Sequence, residues 1–236
     1  MNTDLEYVKR KTMMIARIVQ PEADSVFPFI TIHPFLESPF WFEKMHIDKV
    51  QGMDSSYDLT NPEIYEKWLE AFQQRLDKIN NLSYIYMLWR SPWKMTFMKF
   101  CGPYLSEKDY ATYLAESWID EENPNMDANV SISESIKMFK KCKKEDLMCE
   151  EDLNYYMSLP DQLTVYRGVA QGRVKIGLSW TDDLDQAKWF QHRFGEENTL
   201  LQLNVQKKDI IAYFNTRNEK EILLDVLKYK KQILTV

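Results

Sequence analysis

The stretch NEKEILLDVLKYKKQIL, residues 218–234, can be read in two ways. As a helix, Asn218 and Glu221 match a capping box, and Ile222, Leu223, Val226, Leu227, Ile233 and Leu234 form a stripe at three- and four-residue steps. As a strand, Glu219 and Glu221 stand at i, i+2 and share one face of a pleat. Periodicity alone favours the helix. The neighbouring DIIAYF, residues 209–214, favours the strand, because a short β-rich run needs partners to pair with.

Outward from that stretch, the texture changes near Pro160. After it, QLTVYRGV (162–169), KIGLSWT (175–181), NTLLQLNV (198–205) and DIIAYF read as strands, and TDDLDQAKWFQHRFG (181–195) reads as one helix. Before it, the pattern is mostly helical. In NPEIYEKWLEAFQQRLDKIN, residues 61–80, Ile64, Tyr65, Trp68, Leu69, Phe72, Leu76 and Ile79 lie on one helix face, with Asn61 and Pro62 as cap and first-turn proline. SEKDYATYLAESWID, residues 106–120, repeats the design, with Tyr110, Tyr113, Leu114 and Trp118 in a stripe behind Ser106. SISESIKMF and KEDLMCEEDLNYYMSL extend the helical part, and VFPFITIHPF, residues 26–35, alternates as a strand does. Together these predict an α+β protein: a mostly helical region over 1–159 and a compact β-rich region over 160–236.

Composition bounds the function. The chain has 236 residues, 44% of them hydrophobic, which is enough for a substantial core. No apolar run reaches the roughly 18–20 residues that span a bilayer, and the early acids and Arg17 make a poor secretory signal, so no membrane contact is expected. Three cysteines without C-x-x-C spacing read as reduced thiols, which predicts a cytoplasmic protein. A net charge of −6 argues against a broad nucleic-acid surface, although KMFKKCKK, residues 137–144, is a local basic patch. The acidic DEENPNMDANVS, residues 120–131, lacks the central glycine and the final glutamate of a calcium loop and reads as a turn. His33, His46 and His192 have no metal-ligand spacing, no G-x-S-x-G elbow occurs, and Leu178 stands where a P-loop would need lysine. No metal is therefore expected.

What remains is an ordered set: VYRG (165–168), GLSWT (177–181) and NEKE (218–221). An arginine closing one strand, Ser-x-Thr on the next, an aromatic-bearing helix and Glu-x-Glu opening a late strand resemble the R-S-E class of mono-ADP-ribosyltransferases, the family of ADP-ribosylating bacterial toxins. The resemblance covers about the last third of the chain. It departs from the family in Trp180, which replaces a small residue, and in the brevity of the core. It implies a β-sandwich catalytic core in which residues 218–221 open a strand.

The resemblance also implies the chemistry. NAD, as substrate, loses neutral nicotinamide while its ribose carbon gains oxocarbenium character, as in glycoside hydrolysis. Glu221 would stabilise that cation, and Glu219 would engage an arginine acceptor, bidentately and as a proton acceptor. A charge pair at about 4 Å and an effective dielectric near 20 gains roughly 4 kcal/mol, or about three decades of rate if realised only in the transition state. Arg167 would hold the dinucleotide, Gly168 would let nicotinamide approach the backbone, and Ser179 would orient Glu221, with Thr181 assisting. Trp180 and Phe190 are core residues that could also stack on nicotinamide. An ordinary glutamate is already ionised at neutral pH, so no tuning of Glu221 is expected.

The implied function is transfer of ADP-ribose from NAD to a macromolecular acceptor, with protein arginine ahead of RNA. The reading leaves room for an inhibitory partner protein. NAD hydrolysis is the near alternative, and a catalytically silent NAD- or ADP-ribose-binding module the distant one.

Overall fold

A computed structural model describes residues 2–18, 39–40, 61–193 and 198–236. The strand expected at 26–35 and the glycine stop at 195 lie outside the described residues. The chain divides into two compact units, Met1–Tyr110 with Asp120–Val130, and Ala111–Ile119 with Ser131–Val236. The fold is α+β. The division falls earlier than Pro160, so the helices after Ser131 belong with the strands.

In the first unit the helices are α1 (Leu5–Ile18), α2 (Pro62–Lys78), α3 (Leu82–Met87) and α4 (Lys94–Cys101). The Asn61 side chain accepts the Glu63 N–H, with Pro62 at the first helical turn, as the sequence predicts. The expected stripe of α2 is buried at Tyr65, Trp68, Leu69, Phe72 and Leu76, while Ile64 and Ile79 at its two ends are half-buried. Trp89, Trp93, Met95 and Phe97 are enclosed with it, and the Trp89 indole donates to Thr12 at 3.3 Å.

Helix α5 (Glu107–Asp120) begins behind the Ser106 cap and runs through both units. The second unit continues with α6 (Ile132–Phe139), closed by a capping box between Ser131 and Glu134, then α7 (Lys144–Leu147) and α8 (Glu150–Ser158). Met148 and Cys149 are extended, so KEDLMCEEDLNYYMSL forms two short helices rather than one.

The strands are β1 (Gln162–Val169), β2 (Ser179–Trp180), β3 (Thr199–Gln206), β4 (Ile210–Phe214), β5 (Glu221–Leu224) and β6 (Leu234–Thr235), with α9 (Leu184–His192) between β2 and β3. They form two antiparallel sheets, ordered β1-β3-β6 and β2-β5-β4. A bridge between Tyr166 and Thr181 links them, with N–H···O distances of 2.7 and 2.9 Å.

The opening stretch is thus a strand and then a turn. Ile222, Leu223 and Leu224 are each 0% exposed, because β5 is the middle strand and both its faces are covered. A helix would bury one face of such a run and expose the other. Asn218 and Lys220 have φ of 56° and 49°, which the first turn of a helix excludes.

The helices of the second unit brace the second sheet. Tyr155 of α8 stacks on Tyr213 of β4 with centroids 4.2 Å apart. The Lys144 ammonium donates to the carbonyls of Ile210 and Ile211 at 3.0 and 2.8 Å. Lys140 pairs with Asp225 at the end of β5. Two lysines of the basic patch are therefore engaged with the sheet.

Candidate active site

The site is built where β1 and β2 separate. In an antiparallel ladder, residues two apart bond to the same side. Tyr166 bonds to Thr181, so the next pair facing across this edge is Gly168 and Ser179. The ladder does not continue there. The Ser179 carbonyl instead accepts from Arg167 Nη1 at 2.7 Å, and Arg167 Nη2 donates to the Val174 carbonyl at 3.0 Å. On the opposite side of β1, Gly168 faces Leu200, whose carbonyl bonds away from it to the Val236 N–H. The N–H and C=O of Gly168 therefore point into the gap between β1 and β2.

Ser179 lies opposite Leu223 in the β2–β5 pair, and Glu221 stands two residues along β5. Alternation puts the Ser179 hydroxyl and the Glu221 carboxylate on one face. The hydroxyl donates to that carboxylate. A second donor reaches it from α5: Trp118 Nε1 lies 2.9 Å from Glu221 Oε1. Burial pushes Glu221 above the usual carboxylate range; the Ser179 and Trp118 hydrogen bonds oppose this, the Glu219 charge adds to it, and the Arg167 charge opposes it. An untuned carboxylate was expected, and the deep position of this one is the reason it departs.

Arg167, Ser179 and Glu221 are thus brought together from three strands. Burial lowers the Arg167 guanidinium to about 10, against the charge of Glu221, which raises it, and that of Arg173, which lowers it. Its Nε is closed off from water and has no hydrogen-bond partner among the described residues.

Glu219 is near enough for its charge to act on Glu221, but the two do not share a strand face. β5 begins at Glu221, and the left-handed Lys220 interrupts the pleat before it. Glu219 belongs to a turn organised by Asn215, whose carbonyl accepts the Asn218 N–H at 2.8 Å and whose side chain accepts the Lys220 N–H at 3.1 Å. The Lys220 ammonium bonds Asp183 at 2.6 Å, tying the turn to the N-cap of α9. Arg217 Nε lies 3.5 Å from Glu219 Oε1, and Arg217 Nη1 donates to the Ile119 carbonyl at 2.8 Å.

The remaining expected cofactor residues sit as follows. Gly168 is packed tightly under α9: a Cβ there would lie 1.9 Å from the Ala187 carbonyl oxygen and 2.4 Å from the Gln191 nitrogen. Trp180 cannot stack on a ligand, because it is 2% exposed and its indole N–H is bonded to the Gly177 carbonyl at 2.9 Å. It points to the opposite face from Ser179, as its neighbour on a strand must. Thr181 is also buried; its backbone makes the bridge to Tyr166, and its hydroxyl accepts the Asp183 N–H that leads into α9. Phe190 is half-buried on α9, edge-on to Trp189 at 5.0 Å.

Sequence reasoning missed Trp118. A helical stripe marks it as buried, and a buried indole N–H seeks an acceptor, but nothing local names an acceptor 103 residues away. No cluster of three or more metal-binding side chains occurs among the described residues, and no described helix is long and apolar enough to cross a membrane. Comparison with protein-family models, curated proteins and solved structures finds no match to this chain.

Proposed function

We propose that the chain is an NAD-dependent mono-ADP-ribosyltransferase, passing ADP-ribose from NAD to the guanidinium of a protein arginine. One observation carries the reading: Arg167, Ser179 and Glu221, distant in sequence, meet around one half-buried glutamate at a gap between two strands. In the reaction the bond between ribose C1′ and nicotinamide breaks, and nicotinamide leaves neutral with the electron pair. Glu221 faces the resulting ribose cation. Burial makes its charge act more strongly on that cation than it would in water. The pyridinium of bound NAD is itself cationic, so its arrival favours the ionised carboxylate.

The other residues have supporting parts. The Gly168 N–H and C=O, aimed into the gap, offer a donor and an acceptor to the carboxamide of nicotinamide. Arg167 holds the β1–β2 junction through two carbonyls, and its charge lies beside the dinucleotide site. Ser179 orients Glu221. Phe190 is the remaining stacking candidate for the nicotinamide ring. Glu219 receives the acceptor guanidinium and takes its proton as the nitrogen attacks C1′.

A second reading, NAD hydrolysis, is favoured by the pairing of Glu219 with Arg217, which fills the acceptor seat and leaves water to attack. One experiment tests both. Labelled NAD is incubated with the protein and a cell lysate, and the product is treated with protease or with RNase. Label released by protease supports transfer to protein; label released by RNase moves the acceptor to RNA. Nicotinamide release without label transfer indicates hydrolysis. Identical behaviour of wild type and Glu221→Gln removes the catalytic assignment and leaves a silent binding module.

A further inference from the structure

Glu221 accepts a hydrogen bond from a residue outside the three motifs. Trp118 is 1% exposed, and its Nε1 lies 2.9 Å from Glu221 Oε1. Its ring packs edge-on against Phe139 at 5.4 Å, with planes at 85°. An indole N–H donates and cannot accept, so the contact has one polarity only. Next along the same helix, the Ile119 carbonyl accepts from Arg217 at 2.8 Å. The C-terminal end of α5 thus touches residues 217–221 at two points, Arg217 and Glu221, one on each side of Glu219.

We propose that Trp118 is a positioning residue for the reaction, its indole N–H fixing the orientation of the Glu221 carboxylate toward the ribose of NAD. This rests on the reading given under the proposed function. A carboxylate at the start of a strand, next to a left-handed residue, has rotational freedom that the strand does not remove. The Ser179 hydroxyl can itself rotate and is a soft restraint. The indole is rigid, buried and locked by Phe139, so it sets the carboxylate in one plane. Were Glu221 to swing away, the buried N–H would lose its acceptor, and the environment therefore opposes the motion. The donor also favours the ionised form, which is the form the chemistry needs.

The test separates packing from positioning. Trp118→Phe keeps an aromatic ring against Phe139 and removes only the N–H. Nicotinamide release from NAD is measured against pH for wild type, Trp118→Phe and Phe139→Leu. Trp118→Phe should lower kcat by about tenfold or more, with KM for NAD changed by less than about twofold. It should also move the acid limb of the profile to higher pH, because the ionised carboxylate has lost a donor. Phe139→Leu disturbs the packing but keeps the N–H, and should leave the limb in place. A readout that needs no turnover is the indole N–H resonance of Trp118, which should shift with pH in the wild type and lose that step in Glu221→Gln. An unshifted acid limb in Trp118→Phe, or an indole resonance indifferent to Glu221→Gln, overturns this inference alone. No nicotinamide release by the wild type at any pH overturns this inference and the proposed function together, while the resonance still reports whether the two side chains are bonded.

Discussion

Gly168 and Ala187 approach so closely that a single methyl group would not fit between them: a Cβ on Gly168 would lie 1.9 Å from the Ala187 carbonyl oxygen. The obstacle is backbone, which cannot swing aside as a side-chain tip can. Gly168→Ala should force α9 away from β1 and destabilise the protein by at least about 1–3 kcal/mol, read as a lower midpoint in denaturant. NAD turnover should fall with it, since α9 carries Phe190 and the N-cap to which Lys220 is tied. A variant as stable as the wild type would show that the helix tolerates the shift.

Trp180→Phe should affect stability and not substrate affinity. It leaves the Gly177 carbonyl without its donor and trims a fully enclosed ring, at a cost of about 1–3 kcal/mol. KM for NAD should change by less than about twofold. A large rise in KM without loss of stability would return Trp180 to the ligand site.

Glu121 supplies a pH signature independent of any activity. It is 5% exposed, and neither carboxylate oxygen has a hydrogen-bond partner among the described residues. Burial raises it well above the ordinary value of 4.5, and the charge of Asp127 adds to the rise. The folded state therefore holds this proton where the unfolded chain has released it. Its contribution to stability is unimpaired below the unfolded value, declines as pH rises toward the folded value, and stays reduced beyond it. Glu121→Gln should accordingly stabilise the protein at neutral pH, by about 1–2 kcal/mol, and have little effect near pH 4. Unfolding midpoints of the two proteins measured across that range provide the check, and parallel curves would exclude the assignment.

Arg217→Gln tests the occupancy of the acceptor carboxylate. On the proposed function, an incoming guanidinium has to displace Arg217 from Glu219. Glutamine can still donate to the Ile119 carbonyl but carries no charge to compete. KM for a small guanidine acceptor should fall by about threefold to tenfold, with KM for NAD unchanged. An unchanged acceptor KM would mean that the pair opens at negligible cost.

Much of this architecture could be read from the residues because it is local. The caps at Asn61 and Ser106 follow from side chains that bond within three residues, and the strands after Pro160 follow from short β-rich runs between glycines and polar turns. β5 could not be settled by periodicity, since Ile222, Leu223 and Leu224 are buried on both faces and a fully buried strand has no alternation to display. The positive φ of Asn218 suits asparagine, but that of Lys220 has no sequence signal, so the break between the two glutamates was hidden. Gly168 was legible as a place where a side chain is forbidden, though not as a place where the backbone of a helix forbids it. Trp118 was legible as buried but not as bonded to Glu221, because that contact exists only once α5 and β5 are both in place.

The sharing of α5 bears on how such a module could be inherited. A segment copied from Pro160 onward would carry every motif residue and still lack the indole that grips the last of them. Recombination would have to transplant part of the helical half as well, and the motif third by itself would carry Glu221 with one of its two hydrogen-bond donors left behind.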